Sequence, residues 1–178
     1  TTTFVGGKYG NASNYNGSSQ YLSTATTISG VRTVSFWANP ASTTDNYINL
    51  ASGVYINSSS GTISATGFTS PTIYVNGAIS STIAASTWSL VTVTTNPAIS
   101  ASSFETGRAN GSYYGNGSKL DDVRIYNRAL SPKEVRDLYN WAPGPAAYLP
   151  MDEGSGTSAN DISGNSRTGT LNNGPIWS

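Results

Sequence analysis

The chain has 178 residues, of which 37% are hydrophobic and only 10% charged, and its nine acidic and nine basic side chains cancel. A neutral surface has no excess of cations to neutralise a phosphate backbone, which argues against nucleic acid as a partner. Histidine and cysteine are absent, which excludes Ser-His-Asp and Cys-His catalysis, a disulfide framework and histidine-based zinc sites. No apolar run reaches the ~18 residues of a membrane span, so membrane insertion is not expected.

The first two-thirds of the chain consist of short β-type runs separated by turn residues. Asn76-Gly77 between two such runs is a strong hairpin signal. Strands at this spacing predict an all-β fold, a two-sheet antiparallel jelly-roll sandwich. The predicted strands, in chain order, are Gln20–Ala25, Thr33–Ala38, Tyr47–Leu50, Val54–Ile56, Gly61–Ala65, Thr72–Val75, Ala78–Ala84, Trp88–Thr94 and Lys119–Asn127.

One short helix is predicted near 131–140. Ser131 can cap it, Pro132 suits its first position, and Glu134 completes a capping box. Val135, Leu138 and Tyr139 follow at the spacing of one helix face. A proline-rich linker, 141–145, comes next and cannot continue the helix.

Beyond the linker the sequence becomes β-like again. Ala146–Met151 is a predicted strand, and Asp152–Arg167 a polar loop. Thr168–Leu171 and Pro175–Trp177 are short runs around a turn.

Four runs of the body resemble laminin-G-like domains of the concanavalin-A-type jelly-roll group. They are TVSFWANP (33–40), PTIYVNG (71–77), TWSLVTVT (87–94) and SKLDDVRIYNRALSPKEVRDLYN (118–140). Residues 146–178 resemble the N-terminal segment of that family, which is normally followed by something like GGKYGNASNYNGSSQYLS, here at residues 6–23. The resemblance therefore implies a circularly rotated order, in which Ser178 would connect naturally to Thr1.

The rotated order leaves three alternatives for how the segment folds. Residues 1–140 would form an incomplete sandwich, and 146–178 would complete either their own sandwich or that of the next subunit. The chain would otherwise be one period of a tandem array cut out of register. An exposed sheet edge templates strand pairing, and repeated head-to-tail donation gives a filament. The stiff linker favours donation.

This hypothesis predicts a non-catalytic extracellular subunit that assembles with copies of itself through C-terminal strand donation. A surface rich in Ser, Thr, Asn and Gly fits a secreted or cell-surface location. The side chains predicted to be buried on assembly are Tyr148, Met151, Leu171, Ile176 and Trp177.

A structural Ca²⁺ site is a second prediction. Carboxylate and amide oxygens in a flexible loop are the ligands that Ca²⁺ prefers. In the resembling family the acidic residue that opens the last strand lies near the N-terminal polar loop, often around a bound Ca²⁺. The candidate ligands are Asp121, Asp161, Asn165 and Glu153. The alternative is that these residues only form turns.

The alternative function is a calcium-stabilised carbohydrate-binding or adhesion module of a larger secreted protein. Tyr113 and Tyr114 lie in a Gly/Asn/Ser loop and are the candidate residues for stacking on sugar rings, unless they belong to the core. Few carboxylates are available for a glycosidase pair, so an enzyme is not expected. Five Asn-x-Ser sequons are glycosylation candidates, at Asn11, Asn16, Asn57, Asn110 and Asn116.

Overall fold

The computed structural model describes residues 3–141, 147–151, 153–161 and 166–173. The chain divides into two units, Thr1–Asn140 and Trp141–Ser178, here called the body and the C-terminal unit.

Fourteen strands and one helix form the described part of the body. In chain order they are β1 (Thr3–Gly6), β2 (Asn11–Asn14), β3 (Leu22–Ser23), β4 (Ile28–Asn39), β5 (Asp45–Ala51), β6 (Val54–Ser59), β7 (Thr62–Thr66), β8 (Thr72–Val75), β9 (Ala78–Ile79), β10 (Ser89–Ala101), β11 (Glu105–Thr106), β12 (Arg108–Ala109), β13 (Ser112–Tyr113), β14 (Lys119–Tyr126) and α1 (Pro132–Trp141).

Two antiparallel sheets make the sandwich. The larger has the order β1-β2-β14-β4-β10-β8-β9, and the smaller has the order β3-β11-β5-β6-β7. The long strands β4 and β10 lie side by side at the centre of the larger sheet, with Phe36 opposite Val91. β12 and β13 form a separate small hairpin. The predicted all-β sandwich with one short helix is therefore confirmed.

The main core combines side chains from both sheets. Alternate residues of β4, such as Val34 and Phe36, point into it together with Tyr47 and Leu50 of β5, and all four are fully buried. The inner face of β4 was predicted from the alternation of apolar residues at every second position. Four aromatic rings run through the core, with centroids 5.6 Å apart from Phe36 to Tyr47, 5.2 Å from Tyr47 to Tyr114 and 5.6 Å from Tyr114 to Tyr15.

The helix covers the outer face of the larger sheet. Val135 is fully buried in a second cluster with Tyr74 and Leu130. The predicted capping box is present: the Glu134 amide donates to Ser131 Oγ (3.3 Å), and the Ser131 amide donates to Glu134 Oε2 (2.8 Å). The Ser131 amide, the Arg128 guanidinium and the Ser131 hydroxyl donate to the Glu134 carboxylate and lower its pKa to about 2.

The C-terminal unit contains two short strands among its described residues, β15 (Ser158–Ala159) and β16 (Gly169–Thr170), paired antiparallel. No strand forms at 147–151, the described part of the strand predicted at Ala146–Met151, and these residues have no ladder partner within the described ranges. Met151 also has a positive φ of 61°, which interrupts extended backbone. The predicted run Pro175–Trp177 lies outside the described residues.

Within the described ranges, no helix is long and apolar enough to cross a membrane.

Candidate functional site

A pair of tyrosines flanks an arginine on the surface of the body. The rings of Tyr21 and Tyr113 have centroids 6.2 Å apart, and the Arg108 guanidinium lies 4.9 Å from the first ring and 5.6 Å from the second. Tyr21 is 38% exposed, and Tyr113 is partly exposed. Arg108 also forms an ion pair with Glu105 at 3.4 Å. These three residues, Tyr21, Arg108 and Tyr113, are called the tyrosine–arginine patch.

The small hairpin places Arg108 beside Tyr113. The two residues are direct cross-strand partners on β12 and β13, a position in which neighbouring side chains contact each other. The turn between them is Asn110-Gly111, and both residues have positive φ (48° and 80°). Asn-Gly is the sequence that such a turn favours.

A side-chain amide fixes the loop that leads to Tyr21. Asn16 Oδ1 accepts backbone N–H bonds from Ser18, Ser19 and Gln20 at 3.1, 3.1 and 3.2 Å. Asparagine is suited to this role because its short side chain mimics a backbone turn. These bonds fix the backbone that precedes Tyr21 and so help to position its ring in the patch.

A buried carboxylate fixes the other side of the patch. Asp45 Oδ1 accepts the amide of Gly115 (2.6 Å), and Oδ2 accepts the hydroxyl of Ser118 (2.8 Å). Ser118 Oγ in turn accepts the Ala41 amide at 2.8 Å. Burial raises the pKa of Asp45, although these donors favour its charged form. The loop that follows Tyr113 is thus attached to β5.

The structure places the two predicted stacking residues in different environments. Tyr113 lies in the patch, whereas Tyr114 is fully buried in the core and its hydroxyl donates to the Lys119 carbonyl (3.2 Å). Tyr114 therefore cannot stack on a surface ligand. It belongs to the hydrophobic core, which was the alternative given for it. The correction follows from strand alternation, which turns two consecutive side chains to opposite faces.

Sequence reasoning missed Tyr21 and Arg108. Tyr21 precedes β3 by one residue, and Arg108 follows Gly107 in a run with no motif. Their meeting depends on pairing between β3 and β11, which are about eighty residues apart in the chain. Tyr21 could have been found in the same way as Tyr113, because it too lies beside a polar loop of Asn, Gly and Ser. No comparable signal marks Arg108.

The predicted metal ligands occur in both units. Asp121 belongs to the body, and its Oδ2 accepts the Tyr9 amide at 2.9 Å. Asp161 and Glu153 belong to the C-terminal unit, and Asn165 lies outside the described residues. Among the described side chains no group of three or more acidic residues could hold an ion. Calcium binding stays a prediction.

The two described carboxylates of the C-terminal unit, Glu153 and Asp161, accept backbone amides. Asp161 Oδ1 accepts the Tyr148 amide (2.8 Å), and Oδ2 accepts the Arg167 amide (2.7 Å). Glu153 Oε1 accepts the Asn160 amide at 2.5 Å. These bonds join separate parts of the loop to one another.

The assembly candidates are described only in part. Tyr148 and Met151 are 49% and 56% exposed, large values for apolar side chains. Leu171 is partly buried, and its amide donates to the Thr157 carbonyl at 2.8 Å. Ile176 and Trp177 lie outside the described residues. Assembly itself is untested.

The five sequon asparagines differ in accessibility. Asn57 is partly buried within β6, and the other four are exposed. Asn16 Nδ2 also donates to Ser19 Oγ at 3.0 Å. Their use as glycan acceptors stays a prediction.

Residues 61–136 match the family model described as the Concanavalin A-like lectin/glucanases superfamily. A solved structure, domain 4 of an extracellular GH43 arabinanase from Geobacillus stearothermophilus in complex with arabinotriose, is similar with a TM-score of 0.53. The two share 20% identity over 78% of this chain and 81% of that one. The family model covers less than half of the chain, and the structural similarity concerns the fold, a two-sheet β-sandwich. The resemblance of the body's sequence to this group is confirmed, whereas the rotated order stays a prediction. No curated protein matches the sequence of this chain.

Proposed function

We propose that this chain is a non-catalytic carbohydrate-binding module of a secreted protein. The observation that carries the proposal is the tyrosine–arginine patch, in which two partly exposed rings flank a guanidinium. Aromatic rings offer an apolar face to the C–H face of a sugar, and a guanidinium donates to its hydroxyl oxygens.

The comparisons support a glycan as the ligand class. The matching family model includes lectins and glucanases, and the similar arabinanase domain was solved with arabinotriose. The patch supports binding rather than hydrolysis. Glycosidases use a pair of carboxyl groups around the scissile bond, whereas Glu105, the carboxylate in contact with Arg108, is engaged in an ion pair.

Titration calorimetry with arabinotriose, together with a glycan array, tests this proposal. Tyr21→Ala and Tyr113→Ala should each weaken binding about tenfold, the loss expected for one aromatic contact. Tyr148→Ala removes an exposed tyrosine outside the patch and should bind like the parent chain. Absence of saturable binding across the array would refute the module, and binding insensitive to both patch variants would refute this surface.

Head-to-tail assembly into a filament is the second candidate. The observation that favours it is the exposure of Tyr148 and Met151, because large apolar side chains gain free energy when a partner covers them. Light scattering of the full chain should show species larger than a monomer. Replacing both residues by serine should restore the monomer. A monomeric parent chain at high concentration would exclude assembly.

Calcium is a separate proposal for Asp121, Asp161, Asn165 and Glu153. If these side chains bind Ca²⁺, a chelator should lower the melting temperature of the protein, and added Ca²⁺ should restore it. Identical melting curves with and without chelator would remove calcium without affecting glycan binding.

A further inference from the structure

An ion pair lies within the tyrosine–arginine patch. Arg108 Nη1 donates to Glu105 Oε1 at 3.4 Å, and the two side chains are 28% and 13% exposed. Thr106, between them in the chain, is buried, and its hydroxyl shares a hydrogen bond with the Tyr15 hydroxyl in the core. Because side chains alternate along a strand, Glu105 points away from the core. A carboxylate and a guanidinium therefore lie together beside the exposed ring of Tyr21.

The strand neighbours of Glu105 are neutral. Its cross-strand partners are Ser23 on β3 and Asn49 on β5. The nitrogen and the oxygen of the Asn49 side chain both bond to backbone groups. Within the described ranges, the ion pair of Glu105 is the one with Arg108. The patch thus combines one negative and one positive charge, which cancel.

The Arg108 guanidinium has more donors than the protein satisfies. A guanidinium carries five N–H groups, and in the described part of the chain its hydrogen bond goes to Glu105 Oε1. Arg108 Nε is buried without an acceptor among the described residues. Tyr21 and Tyr113 contact the guanidinium through their rings, which leaves its N–H groups without oxygen acceptors. Donors therefore remain for a ligand that carries oxygen atoms.

Two classes of sugar carry such oxygen atoms. The carboxylate of a uronic acid would pair with Arg108, but it would also lie beside the carboxylate of Glu105, and adjacent like charges weaken binding. A neutral sugar hydroxyl has one donor and two acceptor lone pairs, so it can accept from Arg108 and donate to Glu105 at the same time. Both hydrogen bonds would involve a charged partner, which strengthens them. The ion pair therefore favours a hydroxyl over a carboxylate.

We propose that the Glu105–Arg108 pair makes the tyrosine–arginine patch selective for neutral glycans over glycans that contain uronic acid. Arg108 donates to a sugar hydroxyl, and Glu105 accepts from the same hydroxyl. This inference rests on the proposed carbohydrate-binding function and names its ligand class. The tyrosine rings supply the contact with the sugar face, and the ion pair selects against a charged substituent.

Titration calorimetry of the full chain with three trisaccharides tests the selectivity without any substitution. The probes are arabinotriose, galactotriose and trigalacturonate of the same linkage as the galactotriose, so that the last two differ only in a hydroxymethyl or a carboxylate group. The better neutral probe should bind at least about tenfold tighter than trigalacturonate. Equal or tighter binding of trigalacturonate would overturn the inference and leave the binding module intact. Absence of binding to all three probes and to a glycan array would refute the module, and this inference with it.

A matched pair of variants tests the role of the carboxylate. Glu105→Gln keeps an acceptor oxygen but removes the negative charge beside Arg108. It should raise the affinity for trigalacturonate about tenfold and change that for the better neutral probe by less than about threefold. Asp137→Asn removes one negative charge from an exposed ion pair on α1 and, at the same ionic strength, should leave both affinities unchanged. An equal rise for trigalacturonate in both variants, or no rise in Glu105→Gln, would overturn the assignment to this pair.

Discussion

The body and the C-terminal unit are stabilised in different ways. The body has two sheets of seven and five strands around fully buried side chains such as Phe36 and Leu50. The described C-terminal unit has one pair of two-residue strands and loops attached to the carboxylates of Glu153 and Asp161. Burial of apolar area is the dominant favourable term in folding. Substitutions that break packing should therefore act on the body, and those that break turns should act on the C-terminal unit.

Gly107→Ala should have the largest effect. Gly107 has a φ of +80°, and a Cβ at this position would lie 2.1 Å from Cε1 of the buried Tyr15 ring. We expect a loss of about 4 kcal/mol or more in the free energy of unfolding, measured by denaturant titration. Gly111→Ala is the control, since it has the same φ but open space around its Cβ. Equal losses in the two variants would show that backbone strain, and not the contact with Tyr15, determines the cost.

Asp45→Ala should have the next largest effect on the body. It leaves the Gly115 amide and the Ser118 hydroxyl without their buried acceptor, which should cost about 3 kcal/mol. Asp137→Ala removes an exposed ion pair with Lys133 and should change the stability by less than about 0.5 kcal/mol. Similar losses in the two variants would contradict a structural role for the buried network.

Asp161→Ala should act on the C-terminal unit alone. Its carboxylate accepts the amides of Tyr148 and Arg167, so both amides should exchange with solvent about tenfold faster. Asp161→Asn keeps one acceptor oxygen and should be intermediate. The unfolding midpoint of the body should not change. A lowered midpoint would show that the two units are energetically coupled.

The smallest effect concerns the pH dependence of the helix cap. Folding lowers the pKa of Glu134 from 4.5 to about 2, so its stabilisation is complete above 4.5 and is lost as the pH falls toward 2. Glu134→Gln removes this titration. The stability difference between parent and variant, measured by urea unfolding, should therefore shrink across that window. A constant difference would contradict the capping geometry.

Local patterns predicted most of the body correctly. The alternation of Val34, Phe36 and Ala38 identified the inner face of β4, and the capping box at Ser131 identified the start of α1. Both signals lie within a few residues of the chain, where propensity and periodicity operate.

The candidate site was less predictable because it depends on contacts between distant residues. Tyr113 was found from its loop composition, but Arg108 and Tyr21 meet it only through the pairing of β3 with β11. The strand at 146–151 was predicted from a run of apolar residues. Such a run favours extended backbone, but a strand also needs a neighbouring strand to pair with, and the local sequence does not show whether one is there. An isolated strand has no ladder of its own, so its pattern cannot show which sheet pairs with it.

The buried tyrosines of the core determine how the stability of this fold depends on pH at alkaline values. Burial raises the pKa of the phenols of Tyr15, Tyr47 and Tyr114 above the ordinary value of 10. The unfolded chain releases these protons near pH 10 and the folded chain does not, so stability falls as the pH rises past that point. These three phenols should therefore ionise together, in one cooperative step at the pH where the sandwich unfolds.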